Sequence, residues 1–519
     1  MSSFRLENLV RGPHNIWRLI RTGATFERTG AMVAVLDAFE APRPLRIVAR
    51  ILGAPFFWLG LKGNPSVPPV PRALTALGPA YIKFGQILST RPDVVGSELA
   101  GQMRVLQDKL PPFPIKTTKK IFRQELGLDP DEVFSEFSDA VAAASIAQVH
   151  KARLIETGDV VAVKILRPKI ERAFQKDIDA FYFAAGMIEL FSPGARRLRP
   201  TDVIEHFEGV VHGELDLRLE TSAASEFAAN TKDDKGFSLP SLKWSLSSRR
   251  VMTMGWAEGV PMGDNDALDL AGHDRAKLGE RVLELFLLHA LRDGYFHADM
   301  HQGNLKVAAN GDIIALDFGI MGHIDEYTRR VYAEILFGFI RKDYHRVAEV
   351  HFEAGYVSAD QDVDEFARAL RAVGEPIFGM DATQISMGRL LNYLFEVTER
   401  FGMETRTELI LLQRTMVVVE GVARSLNPKI NIWEVAQPVV ESYIRKSIGP
   451  KALFRDLAKA ASVLARFGPR LPGLIEAVLI DQSKPVAVPD GRSKFSFIML
   501  LLIASAAGAC ATYFSMRLF

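Results

Sequence analysis

Alternating hydrophobic and polar positions mark one stretch of this 519-residue chain, from about residue 130 to 165. Its segments EVFSEF, SIAQVHKARL and VVAVKIL are strand-like, the last with the two-residue period of a half-buried strand, and RRVMTMGW at 249–256 is β-like as well. The hydrophobic period becomes that of helices over about 170–230 and again beyond 275. Strands early in the chain and helices late in it predict an α+β fold with two lobes.

The two ends of the chain are predicted to be helical as well. Residues 1–65 have a helical pattern, and the proline-rich segment 66–79 precedes a further helical stretch that LQDKLPPFP (106–114) closes. At the other end, residues 495–516 form a run of 22 residues without a charge. At about 1.5 Å per residue, this run is long enough to cross a hydrocarbon core of about 30 Å. We therefore expect a membrane-spanning C-terminal tail rather than a buried core helix.

Charges and small residues at this tail add two expectations. Arg492 and Lys494 precede the run, which predicts that the large domain lies on the cytosolic side of the membrane. Ala504, Gly508 and Thr512 lie on one face of the run, so pairing of two tails into a homodimer stays open. The expected location is an inner membrane with a single C-terminal pass. A bacterial inner membrane is favoured, and the mitochondrial inner membrane is the alternative.

The overall composition narrows the class of protein. Lys and Arg number 63 against 62 Asp and Glu, so the chain lacks the basic excess of a nucleic-acid binder. Hydrophobic residues make up 48% and charged residues 24%, as in ordinary globular proteins. Cys510 is the only cysteine, which excludes an intrachain disulfide and a thiolate metal site and indicates a reducing compartment.

Three short motifs together have the spacing of a phosphoryl-transfer site. In HADMHQGN, Asp299 stands five residues before Asn304, as in the catalytic loop of protein kinases, where the Asp handles the acceptor proton and the Asn holds Mg²⁺. Thirteen residues further on, LDFG puts Asp317 at the end of the strand-like segment IIAL. VAVK ends in Lys164, whose charge can hold phosphate oxygens.

The two histidines of HADMHQGN allow an alternative. His297 and His301 could belong to a metal cage, but such a site needs further ligands and leaves the DFG tripeptide unexplained. We expect His297 to brace the loop, and we assign no role to His301.

Two features separate this sequence from an ordinary protein kinase. AVAAASIAQVHKA (140–152) stands before VAVK where a glycine-rich loop would lie, and its small residues fit either a phosphate cover or helix packing. After DFG, IMGHIDEYTRRVYAEIL enters a helical pattern at once, without an APE-like end of an activation segment. The usual platform for docking a peptide is therefore missing from the sequence, which argues against protein phosphorylation in trans.

On these motifs the chain resembles the UbiB (aarF-domain) branch of atypical kinase-like proteins, which are associated with ubiquinone synthesis. The resemblance covers roughly residues 70–340. It rests on KFGQ (83–86) with STRPD, LQDKLPPF, AAASIAQVH, VAVK, ELD (214–216), HADMHQGN and DFG. The family usually has prolines in the catalytic loop, as in HxDPHPGN, where this chain has Met300 and Gln302.

The resemblance implies a helical extension that lies over the nucleotide cleft. Lys83 and Gln86 would belong to this extension, and Glu214 and Asp216 would contact it. Lys164 would pair with an acidic residue on the helix that follows its strand. Glu220 is the first choice because it lies one turn beyond Asp216 on the same helical face, and Glu214 is the alternative.

The other implied roles concern ATP and Mg²⁺. Asp317 and Asn304 would hold Mg²⁺, and Asp299 would be the catalytic acid/base residue, with Lys164 and Glu220 completing the catalytic set. The segment Met254–Ala257 would be the adenine-contacting hinge. The nucleotide would contact Lys164 and six further residues: Ala142, Ala143, Ala144, Ser145, Met254 and Trp256.

The implied organisation is that of a two-lobed, protein-kinase-like α+β fold. Its expected parts are an N-terminal helical region (1–65), the KxGQ extension (66–114), an N-lobe with inserted helices (115–258), a helical C-lobe (259–450), a juxtamembrane helical segment (451–493) and the transmembrane tail (494–519).

Two functions fit these expectations. The first is a membrane-anchored atypical kinase or ATPase that binds Mg-ATP and supports ubiquinone biosynthesis, with ATP hydrolysis coupled to the handling of a lipid or an enzyme complex. Its partners would be membrane lipid, isoprenoid quinone precursors and other ubiquinone-biosynthesis enzymes, and not nucleic acid. The second is a pseudokinase scaffold that binds nucleotide or isoprenoid lipid without turnover, which the complete set of metal and phosphate residues disfavours.

Overall fold

The N-terminal part of the protein is helical, as predicted. The computed structural model describes residues 12–38, 43, 46–47, 54–89, 95–103, 105–106, 110–191, 199–378, 397, 400–403 and 407–447. The first helices are α1 (Gly12–Thr29), α2 (Ala31–Ala38), α3 (Pro69–Leu77), α4 (Pro79–Leu88) and α5 (Ser97–Met103), with a 3-10 turn at Ala54–Leu59. Gly78 separates α3 from α4 with a φ of +116°, which glycine adopts without strain. Both helices have proline in their first turn, where a missing N–H leaves no hydrogen bond unmade.

A four-stranded antiparallel sheet follows helices α6 (Ile115–Leu126) and α7 (Pro130–Val133). In spatial order its strands are β1 (Phe134–Ala143), β2 (Ala147–Leu154), β3 (Val160–Leu166) and β5 (Val251–Gly255), whereas β4 (Phe237–Ser238) belongs to another sheet. Val161 and Val163 of β3 are fully buried and pack in the core with Phe122 of α6. Because successive side chains of a strand point to opposite faces, Ala162 and Lys164 lie on the other face. The strands predicted from the sequence alternation are confirmed.

Three helices of the described chain are inserted between β3 and β5, namely α8 (Ile170–Phe191), α9 (Pro200–Glu214) and α10 (Leu217–Thr231). Helix α4 packs against the first two through Phe84, whose ring centre lies 5.0 Å from that of Phe181 and 5.2 Å from that of Phe207. Gly85 has no room for a side chain, since a Cβ there would lie 2.5 Å from a methyl carbon of Leu74. Aromatic contacts and close packing therefore fix α4, which carries KFGQ, in its place.

The rest of the described chain is mainly helical. Its elements are β6 (Val260–Pro261), α11 (Asn265–Leu270), α12 (Arg275–Leu288), a π-helical turn (His289–Asp293), β7 (Tyr295–His297), β8 (Leu305–Val307), β9 (Ile313–Ala315), β10 (Met321–His323), α13 (Glu326–Ile340), α14 (Tyr344–Glu353), α15 (Val363–Phe378), α16 (Thr407–Leu426) and α17 (Ile432–Ser447). The short strands form the pair β10-β7 and the sheet β4-β9-β8-β6. Helices α12 and α16 pack closely, since a Cβ on Gly279 would lie 2.9 Å from the carbonyl oxygen of Ala423.

The α+β organisation is confirmed, but the membrane-spanning part of the prediction needs correction. No helix among the described residues combines the length and the apolar character that a membrane crossing requires. The long helices α8 and α16 carry charged residues along their length, which are costly in hydrocarbon. The segments 451–493 and 494–519 lie outside the described residues, and an inner-membrane location with a single C-terminal pass is not retained. The other domain boundaries stay predictions.

Candidate active site

Three charged side chains meet where the first sheet faces helix α10. The ammonium group of Lys164 on β3 donates to both carboxylate oxygens of Glu220, at 2.7 and 2.8 Å, and lies 3.5 Å from Oδ2 of Asp317. The side chains of Lys164 and Glu220 are 17% and 8% exposed, whereas that of Asp317 is 51% exposed. Burial disfavours the charge on Lys164, but Asp317 and Glu220 outweigh burial and raise the pKa of Lys164. Lys164 therefore stays charged between two carboxylates.

Helix α10 is positioned by a capping aspartate and by the phenylalanine of DFG. Asp216 caps the helix by accepting from the backbone N–H of Arg218, which puts Glu220 in the first turn. Phe318 is buried, and its ring centre lies 6.2 Å from that of Phe227 on α10. The backbone of Phe318 also lies close enough to the Glu220 carboxylate to oppose, in small part, the rise in its pKa that burial causes. Phe318 thus holds α10, and Glu220 with it, against the strand that carries Lys164.

Glu214, the alternative partner of Lys164, pairs with Lys83 instead. Its Oε1 lies 2.8 Å from Nζ of Lys83, and both side chains are mostly buried. One implied detail differs from the structure. The helix that directly follows β3 is α8, so Glu220 lies on the third helix after that strand. Asp216 forms its ion pair with Arg218, whose hydrogen bond lowers the pKa of Asp216, and the implied contact of Asp216 with α4 stays a prediction.

The KFGQ helix reaches the charged site. Lys83 is close enough to Asp317 for its charge to help lower the pKa of that carboxyl. Gln86 lies three residues further along α4 and is half-buried. The hydroxyl groups of Tyr81 on α4 and Thr22 on α1 share a hydrogen bond of 2.6 Å, so the N-terminal helix supports α4 from its other side.

Hydrogen bonds of His297 and Asn304 hold the HADMHQGN loop. Nδ1 of the buried His297 accepts from the Asp299 backbone N–H at 3.1 Å, and Nε2 donates to the carbonyl oxygen of Leu316 at 3.0 Å. Burial lowers the pKa of His297 and keeps its ring neutral. Nδ2 of Asn304 donates to the backbone oxygen and to Oδ2 of Asp299, at 3.0 and 3.2 Å. Backbone groups thus engage both ring nitrogens of His297, which leaves neither for the metal cage.

Asp317 and Asn304 offer oxygen donors that suit Mg²⁺. Asp317 has a left-handed φ of +57°, a strained conformation that is typical of functional sites, and its Oδ1 accepts from the Gly319 N–H at 3.2 Å. Lys164 lowers the pKa of Asp317, so its carboxylate is ionised at neutral pH. Since Nδ2 of Asn304 is bound to Asp299, the amide oxygen is the atom left for a cation. Mg²⁺ prefers such oxygen ligands, usually one or two carboxylates together with substrate phosphates.

The alanine-rich segment forms the tight turn between β1 and β2. Ala142 and Ala143 end β1, and the N–H of Ala144 donates to the carbonyl oxygen of Ala147 at 2.8 Å. Ser145, in the turn, is completely buried. The segment is therefore a hairpin turn of the sheet, in the position before VAVK where a glycine-rich loop would lie.

Arg167, which belongs to none of the sequence motifs, holds this turn. Its Nε and Nη2 donate to the carbonyl oxygen of Ala144 at 2.9 and 2.8 Å, and its Nη1 donates to that of Pro111 at 2.9 Å. Gln148 makes a second link by exchanging hydrogen bonds with the backbone of Phe113. The alanine turn is thus tied to LPPF. Backbone acceptors leave no pattern in the sequence, so no signal marked Arg167 in advance.

The predicted hinge lies at the end of β5. Met254 is buried and stands opposite Ala162 of β3. Because directly opposite residues share a face of a sheet, Met254 borders the face that carries Lys164. The ring of Trp256 lies near two ammonium groups, 4.9 Å from that of Lys151 and 5.3 Å from that of Lys306.

Helix α16 supports the HADMHQGN loop from a distant part of the chain. Oγ1 of Thr415 donates to the carbonyl oxygen of Ala298 at 3.1 Å, and Nε2 of Gln302 donates to the hydroxyl of Ser425. Met300 is buried in the core. Met300 and Gln302, which stand where HxDPHPGN has prolines, are therefore held in place by core packing and by a hydrogen bond. Thr415 and Ser425 lie more than 100 residues from the loop, and no local pattern marks them.

Known protein families, a relative and a solved structure are similar to this chain. The ABC1 atypical kinase-like domain matches residues 105–351, and the UbiB helical domain matches residues 370–431. The probable protein kinase UbiB of Marinobacter nauticus is 39% identical over 414 residues, which cover 79% of this chain and 76% of that protein. A solved structure, the complex of Rv3197 with erythromycin from Mycobacterium tuberculosis, is 27% identical with a TM-score of 0.50 and covers 68% of this chain and 90% of its own.

Fold and site together define an atypical kinase-like protein of the ABC1 class. The chain belongs to the UbiB family. The first of the two matched regions contains the alanine turn, Lys164 and the loops of Asp299 and Asp317, and the second contains α16.

Proposed function

We propose that this protein binds Mg-ATP and acts as an atypical kinase-like ATPase that supports ubiquinone biosynthesis. The observation that carries the proposal is the meeting of Lys164, Glu220 and Asp317. One ammonium group faces two carboxylates, so the cluster has an excess of one negative charge, and the half-exposed Asp317 presents it to solvent. A divalent cation bound together with nucleotide phosphates would match this charge.

Each residue has a task in this proposal. Lys164, oriented by Glu220, would hold phosphate oxygens. Asp317 and Asn304 would hold Mg²⁺, which neutralises the charge of the phosphates when it is bound. Asp299, whose carboxylate Asn304 fixes by a hydrogen bond, would accept the proton of the attacking water or hydroxyl group.

The short connection after DFG favours water or a small acceptor over a peptide. Strand β10 begins two residues after Gly319, and α13 begins at Glu326, which leaves little chain for a peptide-docking segment. Membership of the UbiB family supports the link to ubiquinone biosynthesis. Isoprenoid quinone precursors, membrane lipid and other enzymes of that synthesis are the partners we propose on this basis.

Phosphate release from Mg-ATP by the full-length protein and by Asp317→Asn tests the proposal. We expect turnover to fall by about 10²-fold or more in Asp317→Asn, because the amide removes a charge from the reacting site. Asp312→Asn, at a half-buried aspartate in the turn before β9, is the matched control and should retain wild-type turnover. Equal turnover in Asp317→Asn and wild type would contradict the proposal. A nucleotide-dependent rise in melting temperature without phosphate release from the wild type would instead support the scaffold.

A further inference from the structure

Lys306 connects the strand after the HADMHQGN loop to the predicted hinge. It lies on β8, two residues beyond Asn304, and its ammonium group donates to the carbonyl oxygen of Ala257 at 2.9 Å. Leu305 and Val307 on either side of it are fully buried in the core. Because successive side chains of a strand point to opposite faces, Lys306 points to the other face of β8. Its half-buried ammonium group thus binds a backbone carbonyl of the hinge, a contact that none of the sequence motifs explains.

The sheet face that carries Lys164 leads to the same hinge. Lys151 of β2 stands opposite Ala162 of β3, and Ala162 stands opposite Met254 of β5. Directly opposite residues share a face, so these three side chains form a row about 7 Å along β3 from Lys164. In the other direction along β3, Leu166 is fully buried. A nucleotide with its phosphates at Lys164 therefore has its base at this row and at the hinge beyond it.

Positive charge collects around Trp256 at the hinge end of the cleft. The ammonium groups of Lys151 and Lys306 lie 4.9 and 5.3 Å from the centre of an indole ring, a distance at which a ring attracts a cation. Burial lowers the pKa of Lys306, the nearby Lys151 lowers it further, and Glu258 opposes this in part. The hinge end thus presents N–H donors, while the carbonyl oxygen of Ala257 already accepts from Lys306.

Purine bases differ in the group at position 6 that would meet this arrangement. The amino group of adenine donates, so it must displace the ammonium group of Lys306 to reach the carbonyl oxygen of Ala257. The carbonyl group of hypoxanthine or guanine accepts. Because an ammonium group has three N–H bonds, Lys306 can donate to such a carbonyl and to Ala257 at the same time.

We propose that Lys306 is a specificity-determining residue of the nucleotide site, which makes the cleft accept purine nucleotides with a carbonyl group at position 6 as well as those of adenine. The substrate class is then purine nucleoside triphosphates rather than ATP alone. This inference rests on the proposed function, because it takes the phosphates to lie at Lys164, and it concerns the base only.

Binding of Mg-ADP and Mg-IDP to the full-length protein, measured by titration calorimetry, tests the proposal without turnover. The bases of these two nucleotides are adenine and hypoxanthine, which present an amino group and a carbonyl group at position 6. We expect the affinity of the wild type for Mg-IDP to lie within about fivefold of that for Mg-ADP. A larger preference for Mg-ADP would overturn the proposal.

Lys306→Met removes the donor and frees the carbonyl oxygen of Ala257. We expect the affinity for Mg-IDP to fall by about tenfold or more, because two carbonyl groups then face each other, with the affinity for Mg-ADP unchanged or higher. Lys306→Arg keeps a charged donor and should bind both nucleotides as the wild type does. Lys151→Met is the matched control, since it removes the other ammonium group beside Trp256 and should keep the wild-type ratio of the two affinities.

The outcomes separate the role of Lys306 from the proposed ATPase. An unchanged ratio of the two affinities in Lys306→Met, or the same change in Lys151→Met, would overturn the role of Lys306 and leave the ATPase standing. The expected ratios in a protein that releases no phosphate from Mg-ATP would support the role of Lys306 and overturn only the ATPase. A wild type that binds neither nucleotide would overturn both.

Discussion

Among the described residues, two lysine–glutamate pairs have a similar geometry but differ in which charged groups lie beside them. Lys164 and Glu220 are 2.7 Å apart, and Lys83 and Glu214 are 2.8 Å apart, with all four side chains largely buried. Beside the first pair stands Asp317, 3.5 Å from Lys164 and half exposed. The second pair joins α4 to the end of α9, and no half-exposed carboxylate like that of Asp317 is seen within ion-pair distance of it in the described part of the chain.

The difference separates a pair arranged for a ligand from a pair that positions a helix. Desolvation of two buried charges largely offsets their attraction, so stability alone explains neither pair. For Lys164, the additional carboxylate supplies an explanation, because it leaves negative charge for a cation. For Lys83, the pairing holds the KFGQ helix where its charge reaches Asp317.

Lys164→Met should break the first pair with the largest effect. The substitution leaves Glu220 buried without its cation, and burial already raises the pKa of Glu220. We expect a loss of about 3–5 kcal/mol in the free energy of unfolding. Turnover of Mg-ATP should fall by about 10²-fold or more, because a fixed charge at the phosphates is lost. Denaturant unfolding and phosphate release measure the two effects.

Two further variants control this experiment. Lys277→Met removes an exposed lysine of α12 and should leave both quantities close to wild type. The double variant Lys164→Met/Glu220→Met should recover part of the lost stability, because no unpaired buried charge remains. A Lys164→Met protein with the stability and turnover of Lys277→Met would contradict the role given to Lys164.

Lys83→Met should break the second pair with a smaller effect. Glu214 is the last residue of α9, so its carboxylate can regain contact with water by a small movement. We expect a loss of about 1–3 kcal/mol in the free energy of unfolding. Turnover should change by less than about tenfold, since Lys83 does not pair with Glu220. If the same two assays showed Lys83→Met to be as inactive as Lys164→Met, the distinction between the two pairs would be lost.

The residues of the charged site were predictable because short patterns contain them. VAVK, HADMHQGN and DFG each have fixed internal spacing, and the alternation of β3 fixes which of its residues face the core. No short sequence pattern identifies the acidic partner of Lys164. Glu214 and Glu220 are both close in sequence to the start of α10, and the choice depends on the packing of Phe318 against Phe227.

The sequence patterns could not predict contacts between distant segments of the chain. Arg167 holds the alanine turn through backbone oxygens, which any residue provides. Thr415 and Ser425 of α16 contact the HADMHQGN loop across more than 100 residues of chain. Helical periodicity predicted that such a helix exists, but the face it turns to the loop depends on close packing with α12 around Gly279.

The smallest expected effect concerns the pH dependence of stability. Lys164 holds the pKa of Asp317 below its ordinary value of 3.8, so the folded protein binds this proton less tightly than the unfolded chain does. The stabilisation from Asp317 is complete above the unfolded pKa and is lost as the pH falls through the folded pKa. Because the Asp317 side chain is 51% exposed, solvent screening limits the contribution to about 1 kcal/mol or less.

Denaturant unfolding of wild type and Asp317→Asn at about pH 7 and about pH 3 measures this contribution. The asparagine does not titrate, so the stability of the wild type relative to the variant should decrease as the pH falls. Asp312→Asn provides the comparison for a half-buried aspartate outside the cluster, where no such change is expected. An equal difference between wild type and Asp317→Asn at both pH values would mean that Lys164 is balanced by Glu220 alone, and the cluster would then resemble the Lys83–Glu214 pair.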